Sequence, residues 1–439
     1  MIVIDNALRF REDTDNPIKV GVVGAGFMTV GLINQIEKYT PGMKAVAICN
    51  RTLENAAKCY EKAGILNITL CETHQQIDET ILAQGYSICN DPEALCRSEE
   101  IDIVVDATGA IAYGASVVLT AIKYKKPILM LNPELDATLG PVLKHYADQA
   151  DVMLSQTDGD QPGVIMNLYR YVKGLGLTPL VCGNIKGFLD EHKTPTDMEE
   201  FARNVNQGTR MITNFTDGSK LSFEQASVAN ATGMGVAKRG MSAYRSDKHI
   251  DELTYIHDID QLKAQGGIVD FVIGAKPGPG VYVYGATDDP MVQDYLKYLK
   301  MGPGPLYSFY TPYHLCFFDI PSSIARAFHF GDAVMYPQGG PVVEVIAMAK
   351  RDLKAGEKLD GYGGYLSYGV CENYNIAREQ NLLPLGLTED VVLKQDVPMD
   401  QALTFDDIEY PQDRLIFQLY EEQLRIFDPL EVKLDNENI

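Results

Sequence analysis

Two spacings of apolar residues run through this chain of 439 residues. Val20, Val22 and Val23 form a short apolar run, closed by Gly24 and Gly26. Leu32, Ile33 and Ile36 then recur at the spacing of one helix face. Met43 to Cys49 is a second run, ending in the polar pair Asn50 and Arg51. Ile101 to Asp106 is a third, ending in the small residues Ala107, Thr108 and Gly109, and Pro127 to Asn132 is a fourth. Thr138 predicts the cap of the helix that follows, with Pro141 in its first turn. Strand–helix alternation from 18 to 150 predicts an α/β domain with a doubly wound parallel sheet. Met1 to Arg11 reads as a mixed, strand-like lead-in.

Beyond residue 150 the pattern changes. Leu154 to Gly163 is a polar turn carrying Asp158 and Asp160, followed by a helical pattern through Val164, Ile165, Leu168 and Val172. Leu180 to Phe188 is a strand whose end carries Asn184 and Lys186. Asp217 to Lys220 leads into an alanine-rich helix expected over 221–232. Two strands flank the Gly-Pro loop at 276–280, and Tyr307, Tyr310, Tyr313 and His314 follow a second such loop. Past residue 331, Val342 to Ala349 is a strand, and short strands with turn residues continue to about Ile408. Leu415 to Ile439 is helix-like, then acidic and frayed. The expected domains are 1–150, 151–330 and 331–439, with the last helix of the second returning to the first.

Composition narrows the function class. Apolar residues make up 46% and charged residues 22%, a globular balance. Lys and Arg number 38 against 60 Asp and Glu, so the formal charge is −22 and no strongly basic run exists. Such a surface repels phosphate backbones, which argues against a nucleic-acid partner. The eight cysteines are scattered without a C-x-x-C pair, as in a chain with reduced, buried thiols rather than a zinc site or disulfide framework. No apolar stretch is long enough to span a membrane, and the N-terminus lacks a signal-peptide pattern, so a cytoplasmic location is expected.

Chemistry enters at the glycines. A strand, a G-x-G turn and a helix start let the backbone at Gly24 and Gly26, with Phe27 and Met28 opening the helix, approach a pyrophosphate and offer it amide donors. An NAD site ends its second strand in a carboxylate that binds the ribose hydroxyls. Here Asn50 and Arg51 stand there, and a guanidinium pairs with a 2′-phosphate, which argues for NADPH. Thr108, Gly109 and Asn132 complete the expected cofactor edge. Hydride transfer to a carbonyl needs a cation or acid at the oxygen and a proton donor. Lys186 and Lys220 are the candidates, with Asp217 and Glu224 to tune them and His314 as a further acid. Glu134, Asp136, Asp158 and Asp160 offer oxygen ligands for a divalent metal; turn and capping roles are the alternative for them.

The Gly-Ala-Gly-Phe-Met turn, Asp106-Ala107-Thr108-Gly109, Asp158-Gly159-Asp160-Gln161-Pro162, Asp217-Gly218-Ser219-Lys220, Pro312-Tyr313-His314-Leu315 and the stretch from Arg351 to Leu359 together resemble homoserine-dehydrogenase-like oxidoreductases with a C-terminal SAF domain. The resemblance implies an N-terminal Rossmann sheet, an α+β catalytic domain and a small β-rich SAF-like domain. It also implies NADP(H), a small polar substrate, phosphorylated or free, and a homodimer. One branch of that family acts on 1-deoxy-D-xylulose 5-phosphate as an NADPH-dependent reductoisomerase. Its retro-aldol or alkyl-shift step calls for a metal or equivalent to hold two substrate oxygens. A non-enzymatic NADPH-sensing protein is the alternative from another class.

Overall fold

Valine and isoleucine runs with no polar face build the first sheet in the computed structural model, which describes residues 4–427. Seven strands form it: β1 (Ile18–Val23), β2 (Met43–Cys49), β3 (Ile68–Leu70), β4 (Tyr86–Cys89), β5 (Ile103–Asp106), β6 (Ile128–Met130) and β7 (Leu154–Gln156). Their order is β3-β4-β2-β1-β5-β6-β7, and every pairing is parallel. The connections diverge on either side of β1, between β1 and β5, and open sheets of this kind bind ligands at the carboxyl ends beside that divergence.

The chain divides into two compact units that do not follow its linear order. One comprises residues 1–163 and 315–336, the other 164–314 and 337–439. The helix Ile320–Phe330 thus joins the first unit, where Ile320, Ile324, Ala325 and Ala327 enter the same core as Val20, Val22 and Ile33. The expected third domain, 331–439, is not a separate body: from residue 337 it completes the second unit.

Three local expectations are corrected. Residues 5–13 form a helix rather than a strand; Leu8 is buried, and Asp5 in its first turn and Arg11 in its last complement the helix dipole. The helix after β6 begins at Pro133, not near Thr138. Asn132 caps it by accepting the Leu135 N–H at 3.2 Å, and the Thr138 hydroxyl, inside the helix, donates to Glu134 O at 2.7 Å. The alanine-rich helix begins at Ser219, two residues early, because Gly218 at φ +84° and Asp217 make the turn.

The second unit holds a mixed sheet of β8 (Thr178–Lys186), β9 (Tyr244–Arg245), β10 (Ile268–Ile273), β11 (Gly280–Ala286) and β12 (Leu306–Thr311), in the order β12-β11-β8-β10-β9. β8 pairs β10 in parallel and β11 antiparallel. A small antiparallel pair, β13 (Val343–Ala349) and β14 (Ser367–Asn373), is extended by isolated bridges from Ile346 to Pro384 and Met348 to Ala402. The helix Leu415–Phe427 follows; the acidic tail expected beyond it lies outside the described residues. No helix among the described residues is long and apolar enough to cross a membrane.

Candidate functional site

The first unit presents a nucleotide-type edge. Gly24 sits at φ +108°, and a Cβ there would lie 2.5 Å from the Ala107 carbonyl oxygen, so only glycine lets the turns after β1 and β5 touch. A Cβ at Gly26 would meet no protein atom. Gly26 caps the helix Phe27–Tyr39 in an extended conformation with no side-chain bond, so no side-chain cap covers the amides of that first turn. Phe27 is exposed, and Met28 stands beside it at intermediate burial. Gly31 packs instead: a Cβ there would fall 2.6 Å from the Phe317 ring.

Asn50 follows β2 directly, its amide donating to Thr52 O at 2.7 Å, and Arg51 beside it is exposed. At the end of β5 the fully buried Asp106 accepts from Thr108 N at 3.0 Å and from the Asn132 amide at 3.2 Å. Burial pushes the Asp106 carboxyl up, and these bonds oppose the shift. The same Asn132 amide donates to Ala110 O at 3.3 Å. Asn132 therefore braces the 106–110 turn that carries Thr108 and Gly109.

The four carboxylates expected as metal ligands come from two segments, the helix Pro133–Gln149 and the turn after β7. Glu134 and Asp136 are both buried, two residues apart on one helix, a spacing that turns side chains to different faces. Asp158 lies 3.8 Å from the buried Arg326 guanidinium, and its N–H meets the Ser323 hydroxyl at 2.6 Å. Asp160 accepts from Gln161 N at 3.0 Å. Among the described residues, no three of these four carboxylates bring oxygens within 4.8 Å of one another.

In the second unit β8 and the helix Ser219–Thr232 bring part of the expected catalytic set together. Lys186, at the end of β8, lies 3.7 Å from the Glu224 carboxylate, with side chains 14% and 1% exposed. Asn184, buried two residues earlier, directs its amide to the same Glu224 oxygen at 3.5 Å. Lys220, 7% exposed, sits one helical turn before Glu224 on the same face. His314 is half-buried, on the separate segment after β12. Asp217 is engaged elsewhere: its Oδ2 lies 2.8 Å from Nζ of Lys350, and both side chains are sealed from solvent. Burial raises the Asp217 carboxyl, and Lys350 works against that.

Lys350 escaped the reading of the sequence. It directly follows the buried strand β13, as Lys186 ends β8, but Arg351 comes next, so the sequence reads as an ordinary basic strand end and gives no sign of the distant Asp217.

Residues 18–155 match the family described as "Oxidoreductase family, NAD-binding Rossmann fold". Residues 159–320 match "Oxidoreductase DRL, catalytic domain". No curated protein sequence matches the chain. Among solved structures, a probable dehydrogenase from Thermotoga maritima is similar at 14% identity and TM-score 0.40, covering 73% of this chain and 90% of that one. A myo-inositol dehydrogenase from Lactobacillus casei, solved with NAD(H) and myo-inositol, is similar at 14% identity and TM-score 0.38, covering 67% and 74%. An oxidoreductase from Agrobacterium radiobacter, solved with NAD+, L-tartaric acid and magnesium, shows 17% identity and TM-score 0.30, and the chain spans 55% of its length. With one segment matching an NAD-binding Rossmann family and the next an oxidoreductase catalytic domain, the protein is an NAD(P)-dependent oxidoreductase.

Proposed function

We propose that this oxidoreductase uses NADPH and interconverts a carbonyl and a CH–OH group on a small polar substrate, with chemistry of the homoserine-dehydrogenase kind. The observation that carries the reading is the sequestered Lys186–Glu224 pair, one helical turn from Lys220, inside the segment that matches an oxidoreductase catalytic domain. Bound NADPH supplies the hydride. The amides after Gly24 and Gly26 take the pyrophosphate, Asn50 and Arg51 the 2′-phosphorylated ribose, and Asn132 keeps the Thr108–Gly109 turn in shape.

Lys186 then acts as the cation at the substrate oxygen, where charge accumulates as the carbonyl is reduced. Glu224 holds and aims that ammonium, and Asn184 fixes Glu224. Lys220 delivers the proton to the alkoxide. His314 is the second acid to test, and Asp217 supports the helix start.

The resemblance of the sequence to the homoserine-dehydrogenase-like family with its reductoisomerase branch supports one deeper reading, in which the substrate is 1-deoxy-D-xylulose 5-phosphate and a carbon shift precedes reduction. In this reading the Lys186 and Lys220 ammonium groups hold the two substrate oxygens.

Two measurements test the proposal. Nicotinamide fluorescence is expected to show NADPH bound at least about tenfold more tightly than NADH, with the preference lost in Arg51→Ala; each charge-assisted contact is worth about 1.5–3 kcal/mol. NADPH consumption is then followed with 1-deoxy-D-xylulose 5-phosphate and a panel of free small carbonyls. Lys220→Met is expected to lower kcat by about a hundredfold or more while leaving NADPH binding unchanged. Equal binding of the two cofactors would overturn the NADPH assignment, and full turnover in Lys220→Met would overturn the role of the lysine.

A further inference from the structure

The helix Ser219–Thr232 has thirteen of its fourteen residues buried, although Ser, Lys, Glu, Gln and Asn occupy much of it. Two partners claim its polar groups. Toward the mixed sheet, Glu224 meets Lys186 and Asn184, and the Gln225 amide donates to Asp270 O at 3.0 Å. The C-terminal segment claims the others. The Ser219 hydroxyl accepts the Gly369 N–H at 2.8 Å, and the Ser222 hydroxyl donates to Gly369 O at 2.9 Å. Asn230 Oδ1 accepts from Val342 N at 2.7 Å and Val343 N at 3.1 Å.

Gly369 has no room for a side chain; a Cβ would lie 2.6 Å from Leu385 and 2.7 Å from Val345. Those two atoms are side-chain methyls outside the helix, and the nearest helix atom, Ser219 Cα, would stand at an ordinary 3.6 Å. Phe223, between Ser222 and Glu224, meets the Tyr362 ring edge-on at 5.6 Å.

Lys350 stands at the start of the same helix. An ammonium has three N–H donors. All three are used: on Asp217 Oδ2 at 2.8 Å, Lys193 O at 2.8 Å and Gly364 O at 2.9 Å. The three acceptors come from three different loops. Asp217 passes the constraint on, since its Oδ1 accepts the Ser219 N–H at 3.0 Å and its own N–H donates to Thr213 O at 2.8 Å. One oxygen of the carboxylate shapes the helix start and the other is held by Lys350. The Asp217-Gly218 turn is thus the joint between the helix Thr209–Thr216 and the helix that carries Lys220 and Glu224.

We propose that Lys350 is a positioning residue of the reaction centre: it holds Asp217 and so fixes the helix start that presents Lys220 and Glu224. The C-terminal segment is then part of the catalytic apparatus rather than an appended module. This inference rests on the reading of Lys186, Lys220 and Glu224 as that centre.

The test uses the full chain and three variants: Lys350→Arg, Lys350→Met, and Lys350→Met combined with Asp217→Asn. The double variant removes both charges, so no lone buried charge burdens the fold. Hydrogen exchange of the peptide spanning 217–224, read by mass spectrometry, is expected to accelerate about tenfold or more in the double variant, while its melting temperature and NADPH binding stay close to those of the native chain. Lys350→Arg is expected to restore slow exchange in most of that peptide. With 1-deoxy-D-xylulose 5-phosphate as the probe, kcat falls about fiftyfold or more in the double variant and KM changes by less than about threefold.

Native exchange in a folded double variant would overturn the proposal, and so would native kcat. If Lys220→Met keeps full turnover while the exchange result holds, the catalytic reading fails and the positioning of the helix stands.

Discussion

Gly24 and Lys350 mark opposite limits of what a single residue discloses. Gly24 is constrained by its immediate neighbours, because its φ of +108° and the Ala107 oxygen 2.5 Å from its Cβ position leave no side chain a place. Backbone atoms, unlike a side-chain tip, cannot swing aside. Gly24→Ala is therefore expected to cost about 2–4 kcal/mol and to weaken NADPH binding, checked by thermal unfolding and a fluorescence titration. That constraint was legible in the sequence, since a strand, a G-x-G turn and a helix start lie within a few residues of each other. The Lys350–Asp217 pair was not, because 133 residues separate its members. Asp217 was read with Lys220, three residues away. Its partner is set by which strand end reaches the helix start, and that is decided by tertiary packing. Asn132 shows the intermediate case: it was expected at the cofactor edge, and the structure uses it as a helix cap and as a brace for the neighbouring turn.

Among the elements, the helix Ser219–Thr232 was placed two residues late at its start. Periodicity assumes one wet face, and this helix has none, so Ser219 and Lys220 read as the approach to it. Strands β1, β2, β5 and β6 were legible for the matching reason: buried on both faces, they read as unbroken apolar runs, whereas the short β3 and β4 were not singled out and β7 was read as part of a polar turn. The pair β13–β14 carries a pH-dependent element. Glu344 lies opposite Glu372 in register and is buried, with Tyr420 from the helix Leu415–Phe427 donating to it at 2.7 Å. Burial pushes the Glu344 carboxyl up to about 7, opposed by the Tyr420 bond and by Arg378. The unfolded chain would lose this proton near 4.5 and the folded chain near 7. The folded state thus binds more protons in that interval, and stability falls as pH rises through it, levelling off above. Glu344→Gln removes the titration. Relative to the native chain, the variant is expected to gain on the order of 3 kcal/mol between pH 4.5 and pH 8, measured by denaturant unfolding at each pH. A gain that does not change with pH would show that Glu344 does not titrate there.

For the whole molecule, the division into two units departs most from the linear reading. The sequence showed the change of character near residue 331, yet residues 337–439 share a unit with 164–314. Pattern along a chain marks where element types change, whereas a unit is defined by which faces cover each other. Ser219, Ser222 and Asn230 find their partners in Gly369, Val342 and Val343, far along the chain. A chain stopped after Tyr336 is expected to leave those polar groups and the face around Phe223 uncovered. It should lose the cooperative unfolding of the second unit and become sensitive to protease between residues 164 and 314, read by limited digestion with mass spectrometry. A truncated chain that keeps native protease resistance there would show that the C-terminal segment is dispensable to the fold.

The return of residues 315–336 to the first unit has a consequence for how the protein is made. A ribosome delivers the seven parallel strands early but withholds the helix Ile320–Phe330 until the intervening 164–314 segment has emerged. At about 5–20 residues per second, that interval is roughly 8–30 s. During it the nascent Rossmann sheet lacks Ile320, Ile324, Ala325 and Ala327, which share its core in the finished fold. The second unit waits longer, since β13 and β14 leave the ribosome after that helix. Synthesis therefore closes the nucleotide-type unit first and the catalytic unit last.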